Sequence, residues 1–387
     1  MTDTEWNPFN TNILYTASDD TTVKIWQIPE EGLTGKMSEP VGTMSGHQKT
    51  VTLLRAHPTA NGVLASAGKE PCVKIWDVEK CDDKLTLDDF GGFVQDMNFN
   101  YNGSLLVTTS KDKKTKVWDV RTNKTVAEAQ CHDGAKASKA LFLGRREQLL
   151  TVGFTRQSKR EIKGWDPRKL DTPIFHKELD QSAGVLMPFF DESTNILYLG
   201  GKGDGNMRFF EFVNEAPWVY TLTEDRTTTS AKGLCAMPKR VVDVGRTEMM
   251  RFLKLTPRSV MGCSVVLPRK SQGYDQDIYP DIPSATPALS ADKWFAGEDA
   301  EPKMQSMDPE KNPAATVPAA FKVAPVKKAA APAPAPAAAG AAAAGSSGGS
   351  SGEVDALKKQ VEELTKAMEA LKVENAELKG KLEETSS

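Results

Sequence analysis

The sequence predicts an all-β fold, a β-propeller, and three observations carry that prediction. A short pattern ending in tryptophan recurs along the chain: ASDDTTVKIWQI at Trp26, SAGKEPCVKIWDV at Trp76, TSKDKKTKVWDV at Trp118 and, more loosely, REIKGWDPR at Trp165. A fifth copy, GKGDGNMRFFEF, aligns without a gap when Phe210 takes the tryptophan position, so the successive spacings are 50, 42, 47 and 45 residues. A period in the forties is that of a propeller blade of four strands. The runs between these positions are short, rich in β-branched residues and closed by turn residues, which excludes stacked helices.

Each element follows from that frame. The chain opens on a strand, DTEWNPF. TVTLLRAHP, FVQDMNFN, KASKALFLG and GVLMPFF supply the first strand of the next four units, and GVLASAG, LLVTTS, QLLTVG and ILYLGG the second. A sixth unit is expected from Ala231 to Leu267, on GLCAMPKR, MMRFLKL and VMGCSVVLP, so the propeller units span 1–267. PRKSQGYDQDIYPD and ADKWFAGEDAEPK are too irregular for another blade, and residues 268–302 read as an extension packed on the propeller.

Composition then shifts. From Lys303 to Gly352, 34 of 50 residues are Ala, Pro, Gly or Ser, too few large apolar groups to offset ordering entropy. Residues 303–352 are expected to be a disordered tether with a reach of about 40 Å. Beyond it, 353–384 repeat every seven residues. Val354, Val361, Met368, Asn375 and Leu382 occupy one apolar position, and Leu357, Leu364, Leu371 and Leu378 the other. That pattern predicts an α-helical coiled coil about 48 Å long that makes a homo-oligomer. The alternative is a lone amphipathic helix on the globular part. Asn375 in the seam favours two parallel strands.

Five scattered cysteines without a C-x-x-C pair argue for reduced thiols in the cytosol rather than a disulfide framework. A net charge of −3 offers no footprint for wholesale nucleic-acid binding. No transmembrane segment or secretory signal is visible. Four histidines (His47, His57, His132, His176) are too dispersed for a metal or catalytic cluster. Cys131 and His132 are adjacent, so on a strand they point to opposite faces and make a poor nucleophile–base pair. The glycines from Gly200 to Gly205 lack phosphate-loop spacing and sit where a turn belongs. Asp19, Asp20 and Asp112 fall in equivalent turns and are not read as calcium ligands. No cofactor, metal or catalytic residue is expected.

The repeats resemble the WD40 family, in which a His, a Ser or Thr ten before the Trp and an Asp six before it form a buried hydrogen-bonded set. His47, Ser66 and Trp76 match, with Glu70 in the Asp position; Thr16, Asp20 and Trp26 match in the first unit, and Thr108, Asp112 and Trp118 in the third. His132 replaces the Gly-His of the unit ending at Trp165. Several sets are therefore expected to be incomplete and their junctions loose, since an unpaired buried polar group costs about 1–3 kcal/mol. The residues of these sets are read as structural. With VTTSKDKKTKVWDVRT and LMPFFDESTNILYLGGKGDGN added, the whole chain resembles the coronins: propeller, extension, variable linker, coiled coil. That resemblance implies seven blades against six units here, hence an N-terminal truncation of at least one blade.

It also implies a non-enzymatic regulator of the actin cytoskeleton, in the cytoplasm at the cell cortex. Its implied partners are filamentous actin, the branch-nucleating actin-related-protein complex and cofilin. Many coronins are trimers through an Arg followed five residues later by Glu, a pattern missing from 353–384, so a dimer is equally expected. The basic residues Lys111, Lys113, Lys114 and Lys116, with Arg156, Lys159 and Arg160 in the next unit, are the candidate actin-binding surface; the bland reading is solvated loop charge. The competing function is a WD40 scaffold that assembles other partners without actin.

Overall fold

The computed structural model describes residues 1–269 and 274–311. The coiled-coil positions and nearly all of the Ala/Pro/Gly/Ser segment lie outside these described residues.

Within them, six antiparallel sheets follow one another along the chain as the blades of a β-propeller. Sheet 1 runs Asp3–Trp6, Ile13–Ala17, Thr22–Gln27, Gly42–Ser45. Sheets 2 to 5 repeat the order, from Val51–Ala56 to Asp82–Leu87, Val94–Phe99 to Lys124–Ala129, Lys139–Phe142 to Phe175–Asp180, and Leu186–Asp191 to Val219–Asp225. Sheet 6 has three strands, Gly233–Ala236, Glu248–Leu255 and Val260–Val266.

The first strand of every sheet lines one shared cavity of about 790 Å³, where Asp3, Arg55, Asp96 and Lys139 face one another. Arg55 lies 3.4 Å from Asp96 and 3.9 Å from Asp3, so acids and bases alternate around the axis. The apolar core sits between sheets rather than within one. Val23, Ile25, Leu54 and Trp76 join sheets 1 and 2, and Leu150, Ile162, Leu197 and Phe210 join sheets 4 and 5.

The repeat shows in the backbone. Register shifts at the tryptophan in sheet 2 (Ile75/Trp76) and sheet 3 (Val117/Trp118), and at Phe209/Phe210 in sheet 5, so Phe210 is the structural counterpart of the tryptophans. The turn between second and third strands reuses one left-handed residue, at Thr21, Lys113, Ser158 and Gly203. Only the last has a residue suited to positive φ; the other three accept local strain.

The two terminal sheets each carry an exposed apolar face. Trp6, Leu14 and Trp26 pair directly across sheet 1, and Trp6 is 53% exposed. On sheet 6, Leu253, Leu255 and Val260 are exposed.

The extension clasps the propeller. Tyr279 is fully buried and its hydroxyl donates to the carbonyl of Glu248 in sheet 6 at 3.0 Å. Leu289–Ser290 then pairs in parallel with Ala60–Asn61 beside sheet 2, and Ser290 caps the short helix Ala291–Phe295. Trp294 of that helix is fully buried against His57, and Arg121 of sheet 3 lies over its ring. Order continues past the compositional boundary at 302: Met304–Gln305 pairs with Ile282–Pro283, and Met307 is buried. Composition misplaces that boundary because two methionines in a polar stretch suffice to anchor it.

Candidate interaction surface and histidine-centred groups

The seven basic candidates divide into exposed and buried sets. In the turn after Leu105–Ser110, Asp112 acts as a fastener, accepting from the backbone N–H of Lys114 and of Gly91, both at 3.1 Å. It thereby presents Lys111, Lys113 and Lys114 to solvent. Lys113 donates to the carbonyl of Asp133 at 2.9 Å, Lys114 pairs with Glu128, and Lys111 lies over the Phe93 ring. Arg156 is exposed in the equivalent turn of sheet 4, where Lys159 pairs with Glu178 at 2.8 Å.

Lys116 and Arg160 correct the sequence reading. Lys116 is 3% exposed, paired with Asp89 at 2.7 Å and Glu128 at 2.9 Å, above the Trp118 ring. Arg160 is 2% exposed; it grips Asp180 through two N–H groups at 2.6 and 2.5 Å and reaches Asp204 of sheet 5 at 2.5 Å. Both stand on strands with side chains turned into a sheet junction, so neither is available to a partner. Burial works against the Asp180 carboxylate, but the guanidiniums of Arg160 and Arg208 hold it at about 2. Lys69 and Lys202, exposed in the same turn of sheets 2 and 5, extend the basic rim. Repeat alignment could have found them, because position in the turn rather than clustering in sequence decides exposure.

The blade residues form hydrogen-bonded sets of differing completeness. The indole N–H of Trp26 donates to Thr16 at 2.9 Å, of Trp76 to Ser66 at 2.7 Å, of Trp118 to Thr108 at 2.9 Å and of Trp165 to Thr151 at 2.8 Å. His47 completes the second set, with Nε2 2.6 Å from the Ser66 hydroxyl and Nδ1 in contact with Glu70. Glu70 therefore serves where Asp is usual. Asp20 instead fastens its own turn through Thr22 and Lys24.

The fourth set, in which His132 is expected to replace the Gly-His, is complete. His132 Nε2 meets Thr151 at 2.9 Å and Nδ1 meets Glu161 at 2.7 Å. The same carboxylate takes His176 at 2.7 Å and Lys163 at 3.1 Å. Gly153 makes room, since a Cβ there would stand 2.4 Å from the His132 ring. Burial favours neutral His132 and works against the Glu161 carboxylate, yet its donors hold Glu161 at about 2. Cys131 plays no part in this set: burial pushes its thiol up to about 11. His57 is a core residue, its Nδ1 accepting from the N–H of Ala60 at 2.9 Å and Nε2 donating to the carbonyl of Gly103 at 3.0 Å. Burial drives its pKa down to about 3.

One convergence escapes a reading along the sequence. His47, Glu70 and Cys72 offer ligand atoms that all lie within 4.8 Å of one another. The signal was the E-x-C step opposite the Gly-His turn, visible only once the hairpin is folded.

Six successive sheets, five of them marked by a tryptophan or its Phe210 counterpart, a polar lock beneath each of the four indoles and a shared axial cavity define a WD40-type β-propeller. Matching models agree: the WD domain, G-beta repeat, at 2–27, 38–77 and 84–119, and a type of WD40 repeat at 263–302. The chain belongs to the coronin family. It is 42% identical over 305 residues to Coronin-A of Dictyostelium discoideum, covering 79% of this chain and 68% of that protein. Coronin-like protein crn1 of Schizosaccharomyces pombe is 39% identical over 82% of this chain and 55% of its own length. Human Coronin-2A is 39% identical over 79% and 60% respectively, so the chain spans little more than half of these two relatives. The crystal structure of the WD40 domain of Toxoplasma gondii coronin superposes with a TM-score of 0.75 at 35% identity, covering 79% of each chain.

Proposed function

We propose that the chain is an actin-filament-binding regulator of the actin cytoskeleton at the cytoplasmic cell cortex, acting by binding rather than by catalysis. The observation that carries this reading is the 39–42% identity to coronins over about four-fifths of the chain. In the mechanism, the propeller rim bearing Lys111, Lys113, Lys114, Arg156 and Lys159 meets the acidic filament through long-range attraction. The coiled coil at 353–384 joins heads into a homo-oligomer, and a second head then binds a repeating lattice at high effective concentration, worth about 10²–10⁴ in avidity. The C-terminal region engages the branch-nucleating actin-related-protein complex and couples to cofilin.

Co-sedimentation of the full chain with actin filaments tests this reading. The triple reversal Lys111→Glu, Lys113→Glu, Arg156→Glu is expected to weaken binding at least about tenfold at low salt, with less effect at high salt. Truncation before residue 353 is expected to lower apparent affinity by about 10². A full chain that stays in the supernatant overturns the proposal.

A further inference from the structure

The cluster on sheet 2 has the composition of a metal centre. A thiolate, an imidazole and a carboxylate are the donor types that zinc takes, and a soft thiolate selects against magnesium and calcium. Three protein donors leave a fourth tetrahedral position for water.

The geometry points to a Zn²⁺-class site formed by His47 Nδ1, Glu70 and Cys72 on the rim of the second blade. Tetrahedral bonds of about 2.0–2.3 Å place donors roughly 3.3–3.7 Å apart. The present donors fall within 4.8 Å of one another, so binding requires their side chains to adjust to that spacing. The step required is for Glu70 to withdraw from hydrogen-bond contact with His47 while one of its oxygens keeps the backbone N–H of Gln48, which lies 3.2 and 3.3 Å from the two. Its side chain is 12% exposed at the rim, which leaves it a direction to move. Glu also reaches one methylene further than the Asp expected there, so its carboxylate has slack that the shorter side chain lacks.

The imidazole is already aimed. Its Nε2 is held against Ser66, which fixes the ring while Nδ1 faces the rim. On binding, Nδ1 gives up its proton and Nε2 carries one instead, donating to the Ser66 hydroxyl, whose two lone pairs can accept from both His47 and Trp76. The histidine stays neutral, and the one proton released is that of the Cys72 thiol. Lys74, two residues beyond Cys72, is occupied by Asp83 and by Thr86, so its charge is already met. The sheet 4 counterpart shows what a closed version looks like: there the carboxylate is capped by Lys163 and His176, leaving it no place for a cation.

Titration of the metal-stripped, thiol-reduced full chain with Co²⁺ tests the site. One equivalent is expected to bind with a near-ultraviolet thiolate-to-cobalt band, and Zn²⁺ is expected to abolish that band. Cys72→Ser is expected to remove the band and weaken Zn²⁺ binding by roughly tenfold or more, whereas Cys235→Ser, an exposed thiol elsewhere, leaves both intact. Glu70→Gln keeps the shape of the cluster and is expected to retain the band with weaker affinity. Absence of a band at one equivalent, or its survival in Cys72→Ser, overturns the assignment.

Discussion

The His47 group of sheet 2 and the His132 group of sheet 4 build the same lock from different spacings. In both, an indole N–H and an imidazole Nε2 converge on one hydroxyl, and the imidazole Nδ1 meets a glutamate. In sheet 2 the hydroxyl stands ten residues before the tryptophan and the acid six before it; in sheet 4 the separations are fourteen and four. The difference lies in what surrounds the acid. Glu161 is sealed by two imidazoles and an ammonium, while Glu70 meets one imidazole and the Gln48 N–H, keeps 12% of its side chain exposed and stands beside a thiol. A fold can therefore conserve a hydrogen-bond geometry while leaving one copy inert and the other open to a ligand.

The largest expected effect comes from breaking the sealed copy. His132→Ala strips Glu161 and Thr151 of a buried partner and is expected to cost about 3 kcal/mol, read as a drop in denaturation midpoint. His47→Ala is expected to cost less, about 1–2 kcal/mol, because Glu70 can turn to water. Equal losses would erase the distinction between the two groups.

Acid is the next lever. Burial depresses the pKa of His47, His132 and His57, the last to about 3. An unfolded histidine takes up a proton near pH 6.5 while these do not, so their stability contribution is complete above about 6.5 and is lost as pH falls below it. The carboxylates of Glu161 and Asp180, held at about 2, contribute stability that is complete above their unfolded values near 4 and lost between there and about 2. The urea midpoint is thus expected to fall from pH 7 to pH 5, and less steeply in the His132→Ala variant. A midpoint flat across that interval would contradict neutral buried rings.

Smaller effects sharpen the contrast. Ser66→Ala and Thr151→Val each remove the shared hydroxyl and are expected to cost about 1–2 kcal/mol by thermal melting. In the absence of metal, Cys72→Ser is expected to fall within about 0.5 kcal/mol of the parent, since it swaps one small rim side chain for another.

Much of the fold was legible because its signal is repetitive and local. LLVTTS and ILYLGG are strands at the expected residues, and Phe210 stands where the alignment put it. The interaction surface was only half legible. Lys114 and Lys116 are two residues apart, yet one is exposed and the other is 3% exposed. Both reach Glu128 and so share a face, but Lys114 stands in the turn while Lys116 is on the strand and is covered by Asp89 as well. Arg160 reads as surface charge until sheet 5 brings Asp204 across the junction to meet it.

By itself, then, the order of residues settled the blade period, the six sheets, the tryptophan positions and the family, all matters of spacing within about forty-five positions. Which charges are free, that Glu161 completes the lock of sheet 4, and that a histidine, a glutamate and a cysteine share one corner were decided by tertiary packing. The reason is departure from the repeat: Glu161 lies 29 residues from His132 and only four before its tryptophan, off the position the pattern assigns to the acid. Pairings across such gaps follow from how a hairpin closes on its neighbour, which no local pattern encodes.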